Sequence, residues 1–320
     1  MNVVMNIEFE YKEIDYLEQK TQFIYAWISA FNRNIDQATA DWLFGLNSNN
    51  RIFVAISASG DIAGGYCLIK QRAVCNSKVI TSYLCNNVFT TPEYRSYNIF
   101  VRLGRFALNQ VKGEETIGFG FPNDLALAGH KRVGWELCEP ILFFERSPCS
   151  IKFDPHHSFE DIPDDNFLEI ENFCGQPNIY SLFFILKNAA YLRWRYIQRP
   201  QTQRKYFIKM LKRDNKIVGY AVLSHYFSKN RLHIIDIVCQ SKDEFAEMLL
   251  RISDMAFYLN VGLINIWGSP VIIPLLTQQN FTQSEERTHL IVKDLSPGQN
   301  MNIAQAIRRH HLVLADNDVF

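Results

Sequence analysis

Residues 88–100 read VFTTPEYRSYNIF, an apolar strand ending that passes through Thr-Thr-Pro-Glu-Tyr-Arg into a helical pattern. Pro92 cannot extend a strand ladder and suits the start of a helix. The first turn of the helix that follows leaves several backbone N–H groups unpaired, at the positive end of the macrodipole. Such an end is a ready seat for a pyrophosphate, and Arg95 at its entrance adds charge. Asn98 is the non-glycine type that most readily accepts left-handed dihedrals, and Ser96 supplies a hydroxyl. The competing reading is a plain helix start after proline.

Outward from this junction the first half alternates element types. Residues 7–11 read as a short strand and 14–31 as an amphipathic helix carrying Leu17, Phe23, Ile24, Trp27, Ile28 and Phe31 near helical spacing. Residues 51–57 and 62–70 flank a Gly-containing hairpin turn, and 79–89 make a third β-rich run. A helix over 96–111, a strand over 116–121, a short helix over 124–133 and a strand over 136–145 complete the half. Residues 147–165 hold prolines and acids without periodicity and read as a linker. The second half repeats the plan: a helix ended by Pro200, strands over 204–211, 216–226 and 231–238, a helix over 243–259, a strand over 263–267, a short helix over 270–278 and a strand over 288–293. The economical reading is an α+β fold duplicated in tandem, each copy a mixed, mostly antiparallel sheet flanked by helices. The expected boundaries are 1–146, a linker 147–165, 166–296, and a tail 297–320.

At 320 residues and 48% hydrophobic content the chain can bury a real core. Lys plus Arg equals Asp plus Glu at 33 each, so the formal charge is zero, which argues against a nucleic-acid partner. The N-terminus turns acidic at once and lacks the basic head and apolar run of a signal peptide, and no apolar stretch reaches membrane-span length, so a cytoplasmic location is expected. Seven scattered cysteines, none at zinc-knuckle spacing, and histidines in adjacent pairs (His156-His157, His310-His311) give no metal pattern.

Pro92, Tyr94 and Arg95, followed downstream by Asn123, Gly134 and Trp135, resemble the acyl-CoA N-acyltransferases of the GNAT superfamily. In that family the strand-to-helix junction reads approximately Pro-x-Tyr-Arg-x-x-Gly-x-Gly or Ala. The resemblance covers 7–145 and, more weakly, 167–294, where the Pro-x-Tyr-Arg junction is absent. It departs at Asn98 and Phe100, which stand where the family prefers Gly and Gly or Ala. Tandem chains of this kind resemble bacterial acyltransferases associated with cell-surface sugar assembly.

The resemblance implies an acyl-CoA co-substrate, acetyl-CoA first, and a small-molecule amine acceptor such as an amino sugar or its nucleotide conjugate, with no metal. It places the cofactor against Val88, Phe89, Thr90, Arg95, Ser96, Tyr97, Asn98, Ile99, Phe100 and Asn123. The amine attacks the thioester directly, a backbone N–H near 88–90 steadies the oxyanion, and an acid protonates the thiolate. The position four before Gly134, a Tyr in many members, is His130, whose rival reading is an exposed helix residue. Candidate bases are Glu93, the pair Asn86-Asn87 acting through water, and Asp316 or Asp318 in a tail that docks near the acceptor pocket between the halves. Arg193, Arg195, Arg199 and Arg204 form either a solvated helix face or a groove for a phosphorylated acceptor. Two rivals stay open: an aminoacyl-tRNA-dependent transferase of the peptidoglycan-bridge type, and a non-catalytic module that binds a ligand or partner. A homodimer also stays open.

Overall fold

The computed structural model of the protein describes residues 8–46, 49–151, 154–162, 167–174, 182–200, 205–298 and 303–317. In chain order the elements are β1 (Phe9–Ile14), α1 (Tyr16–Phe31), α2 (Gln37–Ala40), β2 (Asn50–Ser57), β3 (Ile62–Cys75), β4 (Lys78–Thr90), α3 (Ile99–Gln110), β5 (Thr116–Gly120), α4 (Asp124–Val133) and β6 (Glu136–Leu137). They continue with β7 (Ile141–Arg146), β8 (His157–Asp161), α5 (Phe167–Cys174), β9 (Phe183–Leu186), α6 (Ala189–Leu192), β10 (Lys205–Arg213) and β11 (Lys216–Tyr226). The last are β12 (Arg231–Cys239), α7 (Lys242–Tyr258), β13 (Leu263–Gly268), α8 (Ile273–Gln278), β14 (Thr282–Thr288), β15 (Ile291–Asp294) and α9 (Ile303–Ile307). Among the described residues, no helix is long and apolar enough to cross a membrane.

The described residues fall into two compact units, unit one within 1–71, 81–139 and 289–301, unit two within 72–80, 140–288 and 302–320. Unit one carries a sheet in the order β1-β2-β3-β4-β5-β15-β6, and unit two one in the order β14-β7-β13-β12-β11-β10-β8. Each has one parallel pair at its centre, β4 with β5 and β12 with β13. The two mixed sheets flanked by helices are the expected fold class.

In unit one, α1 covers one face of the sheet with a core that includes Phe23, Trp27, Ile52, Val54, Cys67 and Phe89. The other face meets α3 and α4 through Phe53, Tyr66, Cys85, Leu103, Val133 and Trp135. In unit two, α7 lays Phe245, Met248, Leu249 and Ile252 against Leu223, Ile234 and Ile264. Each such side chain, fully buried, contributes roughly 1.5–3 kcal/mol.

The structure corrects several expectations. The strand expected over 136–145 is broken at Pro140, which has no N–H to give a ladder. The stub β6 pairs with β15 in unit one, and β7 joins β13 and β14 in unit two. The last strand of each half therefore lies in the other half's sheet, and neither unit is a contiguous half of the sequence. β3 and β4 run further than expected, because Asn76 and Ser77 both take positive φ (50° and 67°) and close a two-residue hairpin turn. The end of β3 (Arg72–Cys75) pairs with β9. The segment read as a linker contains β8, paired with β10.

Candidate functional site

The site begins where the parallel pair of unit one comes apart. β4 and β5 stay paired from Thr81↔Thr116 to Cys85↔Gly120, where β5 ends and Phe121-Pro122 lead toward α4, while β4 runs on to Thr90. Within that extension Asn87 takes a left-handed conformation (φ 46°), and its Oδ1 accepts from the Trp27 indole N–H at 3.0 Å. Gly65 leaves space for the Phe89 ring, which lies 2.4 Å from where a β-carbon would stand. The Thr91 N–H reaches Ala63 O on β3 at 3.0 Å. By strand alternation, the N–H groups of Thr90 and Val88 point to the opposite edge, where β5 has ended.

Beyond Thr91, residues Pro92–Tyr97 make a 3-10 turn, and Asn98 (φ 57°, ψ 27°) turns the chain into α3. The left-handed position is thus held by Asn in place of Gly. No side chain caps α3 and no acid lies in its first turn. Asn98 Oδ1 is occupied by Arg132 of α4 at 2.8 Å, so the orphan N–H groups of 99–101 keep no side-chain partner. Arg95 is exposed and donates to Ala30 O at 3.2 Å, which fixes its guanidinium beside the junction. Ser96 and Glu93 are exposed on the same turn. Tyr97 packs on Phe9.

Phe100 does not fill the helix mouth. Its ring turns toward α4, 5.0 Å from the His130 ring and against Gly129, where a β-carbon would stand 2.7 Å from it. Gly129 therefore makes the room that a small residue at 100 would otherwise leave.

His130 is 4% exposed, boxed by Phe100, Tyr66 and Trp135, and its Nδ1 has no partner. The rival reading of an exposed helix residue is therefore wrong. Burial pushes its pKa down to about 4, so the ring is neutral near pH 7. Asn123 caps α4, accepting from the Ala126 N–H at 2.9 Å. Gly134 ends α4 with φ 104°, and Trp135 donates to the Tyr66 hydroxyl at 2.9 Å while filling the space under Gly118. These three motif residues build the frame around the split.

Other candidates lie elsewhere. Asp316 is buried in unit two, 3.2 Å from Lys187 Nζ, and accepts from the Val313 N–H at 2.9 Å. Lys187 also meets Asp236 at 2.9 Å, and Tyr196 and Tyr220 donate to the same carboxylate. Burial alone would favour a neutral Lys187, but Asp236 and Asp316 outweigh it and raise its pKa. Asp318 and Arg204 lie outside the described residues. Arg195 is not on a solvated face: it is buried and donates to Ala315 O and Asn317 O at 3.3 and 2.6 Å, holding the tail.

Three further polar groups had no signal in the sequence beyond being polar in a strand. Asn50 Oδ1, Gln71 Oε1 and Ser82 Oγ are buried without a partner, as are Asn86 Oδ1 and Thr90 Oγ1 near the split.

Residues 11–138 match the family model described as an acetyltransferase (GNAT) domain. No curated protein matches the sequence. A GCN5-related N-acetyltransferase from Anabaena variabilis superposes with a TM-score of 0.71 at 14% identity, over 89% of this chain and 73% of that one. A conserved protein from Enterococcus faecalis, described as a probable N-acyltransferase, gives 0.72 at 11% identity over 90% and 73%. A tandem GNAT protein from the clavulanic acid biosynthesis pathway gives 0.55 at 12% identity over 91% of this chain and all of that one. The fold is the GNAT fold, in the tandem form that the last of these also has.

Proposed function

We propose that this chain transfers an acyl group, acetyl in the first instance, from acyl-coenzyme A to a primary amine, and that its working site is in unit one. The observation that carries the reading is the N-terminus of α3: uncapped, free of acids in its first turn, flanked by Arg95, and set at the end of the strand that outruns β5. Thr90 Oγ1 and Asn86 Oδ1, near the split, are buried without a partner.

The N–H groups of 99–101 and the Arg95 guanidinium would hold the pyrophosphate. The edge of β4 left open beyond Cys85 would pair with the amides of the pantetheine arm, as an added strand does. Bound there, the co-substrate supplies a thioester whose acyl carbon takes the amine. The N–H groups of Val88 and Thr90 would stabilise negative charge on the carbonyl oxygen. The amine loses one proton to water as the C–N bond forms, and the thiolate released as the C–S bond breaks takes one back from solvent. Asn86 would orient the water that accepts the first proton. His130, enclosed by Phe100, Tyr66 and Trp135, packs α4 against Phe100 of α3, and burial pushes its pKa down to about 4.

The test is thiol release from acetyl-CoA in the presence of a panel of primary amines. Amine-dependent release, with an Arg95→Glu variant raising KM for acetyl-CoA about tenfold, is the expected result. No release with any amine, together with no binding of acetyl-CoA, would overturn the reading.

A further inference from the structure

The parallel pair of unit two also comes apart, and there the chain's own tail lies in the split. β12 and β13 stay paired from Arg231↔Leu263 to Ile234↔Ile266, and both run on past that point. The ring of His311 spans the gap between them. Its Nε2 lies 2.9 Å from Ile237 O on β12, and its Nδ1 lies 3.1 Å from Ser269 Oγ, just past the end of β13. Ile237 and Ser269 each follow the last parallel pair by the same number of residues (234 to 237, 266 to 269).

The tail is built into unit two on both sides of that ring. Residues 310–317 are all buried. Before His311, the Leu182 N–H donates to Arg309 O and the His311 N–H to Phe183 O, both at 2.8 Å, so the tail enters as a short parallel bridge beside β9. Beyond it, Asp316 meets Lys187 at 3.2 Å, and Arg195 and Tyr191 donate to Ala315 O.

Both histidines fit this seat only as neutral rings. His310 Nδ1 lies 3.1 Å from the Leu312 backbone nitrogen, which can only donate, so Nδ1 accepts. A proton on Nδ1 would face that N–H. In His311 the carbonyl of Ile237 can only accept, so Nε2 carries the proton and Nδ1 accepts from the Ser269 hydroxyl. A second proton would force that hydroxyl, 0% exposed, to turn away. The charges around the rings are mixed. The two rings repel each other when charged, and Lys187 repels a charged His311 while Asp236 attracts it. Burial outweighs the attraction and lowers both pKa values, that of His310 to about 3. Asp316 acts in the opposite sense: burial raises its pKa, so protonating it favours the docked tail.

We infer that the tail is a latch on unit two, seated in the β12–β13 split through His310 and His311 and released when these two rings take protons. The latch belongs to unit two alone and does not depend on acyl transfer in unit one. Released rings titrate near 6.5 and docked rings lower, so the histidines' share of the docking is complete above pH 6.5 and declines as pH falls below it. Hydrogen exchange on the full chain reads the opening directly, with rates corrected for the intrinsic effect of pH. Between pH 7.5 and 5 the amides of 311–317 should lose protection in the wild type while those of α7, in the core of the same unit, keep theirs. His310→Gln keeps an acceptor for the Leu312 N–H and does not titrate, so its loss of protection should be about thirtyfold smaller than that of the wild type. His311→Gln, which keeps a donor and an acceptor, should shift in the same direction. Asp316 is common to all three proteins and cancels from the comparison. Protection lost equally in α7, or a pH response that is the same in the wild type and both variants, would overturn the latch.

Discussion

The two units solve the same topological problem in opposite ways. In each, a central strand leads into the long helix that follows it, and a parallel pair stands at the centre of the sheet. In unit one the helix α3 starts uncapped and without acids, and polar atoms near the split have no partner. In unit two Ser241 caps α7, accepting from the Glu244 N–H at 3.2 Å, and Asp243 and Glu244 put negative charge in the first turn. The end of α7 is thereby satisfied and repels an anion. Asp236, on the central strand of that unit, is closed off by Lys187, Tyr196 and Tyr220. A duplicated fold does not imply two alike copies: the long helix of unit one starts uncapped and without acids, and that of unit two starts capped and acidic.

The contrast can be broken most severely at Lys187. Replacing it with Met leaves Asp236 and Asp316 buried without their counter-charge and should cost about 3–5 kcal/mol in urea denaturation. A loss below about 1 kcal/mol would mean that the cluster is not the closed ionic set described.

The next effect is pH-dependent. His130 titrates at about 4 when folded and near 6.5 when unfolded, so the unfolded chain binds the proton first. Its contribution is complete above pH 6.5 and declines as pH falls toward 4, by about 1.4 kcal/mol per pH unit. His310 in unit two, depressed by burial to about 3, acts in the same direction. A His130→Leu variant should show a shallower loss between pH 6.5 and 4 than the wild type. Equal slopes would show that His130 is solvated and free to protonate.

A smaller effect sharpens the reading of α3. Gly129→Val should destabilise the protein by about 1–3 kcal/mol by driving a β-carbon into the Phe100 ring, with the loss partly restored by Phe100→Ala. Additive losses in the double variant would show that the two residues are not a compensating pair.

Much of this comparison was legible in the sequence. The strand-to-helix junction, the left-handed tolerance of Asn98, the limits of α4 and the tandem plan all follow from local patterns, and the structure keeps them. The exchange of β7 and β15 was not legible, because Glu139-Pro140 marks a break and nothing local says which sheet the chain rejoins. Phe100 looked like an obstacle because its compensation, Gly129, sits on another helix. The missing partners of Asn50, Gln71 and Ser82 escaped notice for a similar reason: each is an ordinary polar residue in a strand, and its surroundings exist only in the folded sheet. Arg195 looked like part of a charged helix face, but a π-type turn over Arg193–Ile197 directs it inward to the tail.

The most direct measurement is a calorimetric titration of the full chain with acetyl-CoA, repeated on Arg95→Glu and on Ser241→Ala. One saturable site per chain is expected, weakened about tenfold by Arg95→Glu and untouched by Ser241→Ala. Two sites, no site, or a single site lost with Ser241→Ala and kept with Arg95→Glu would contradict the assignment of the acyl-CoA site to unit one.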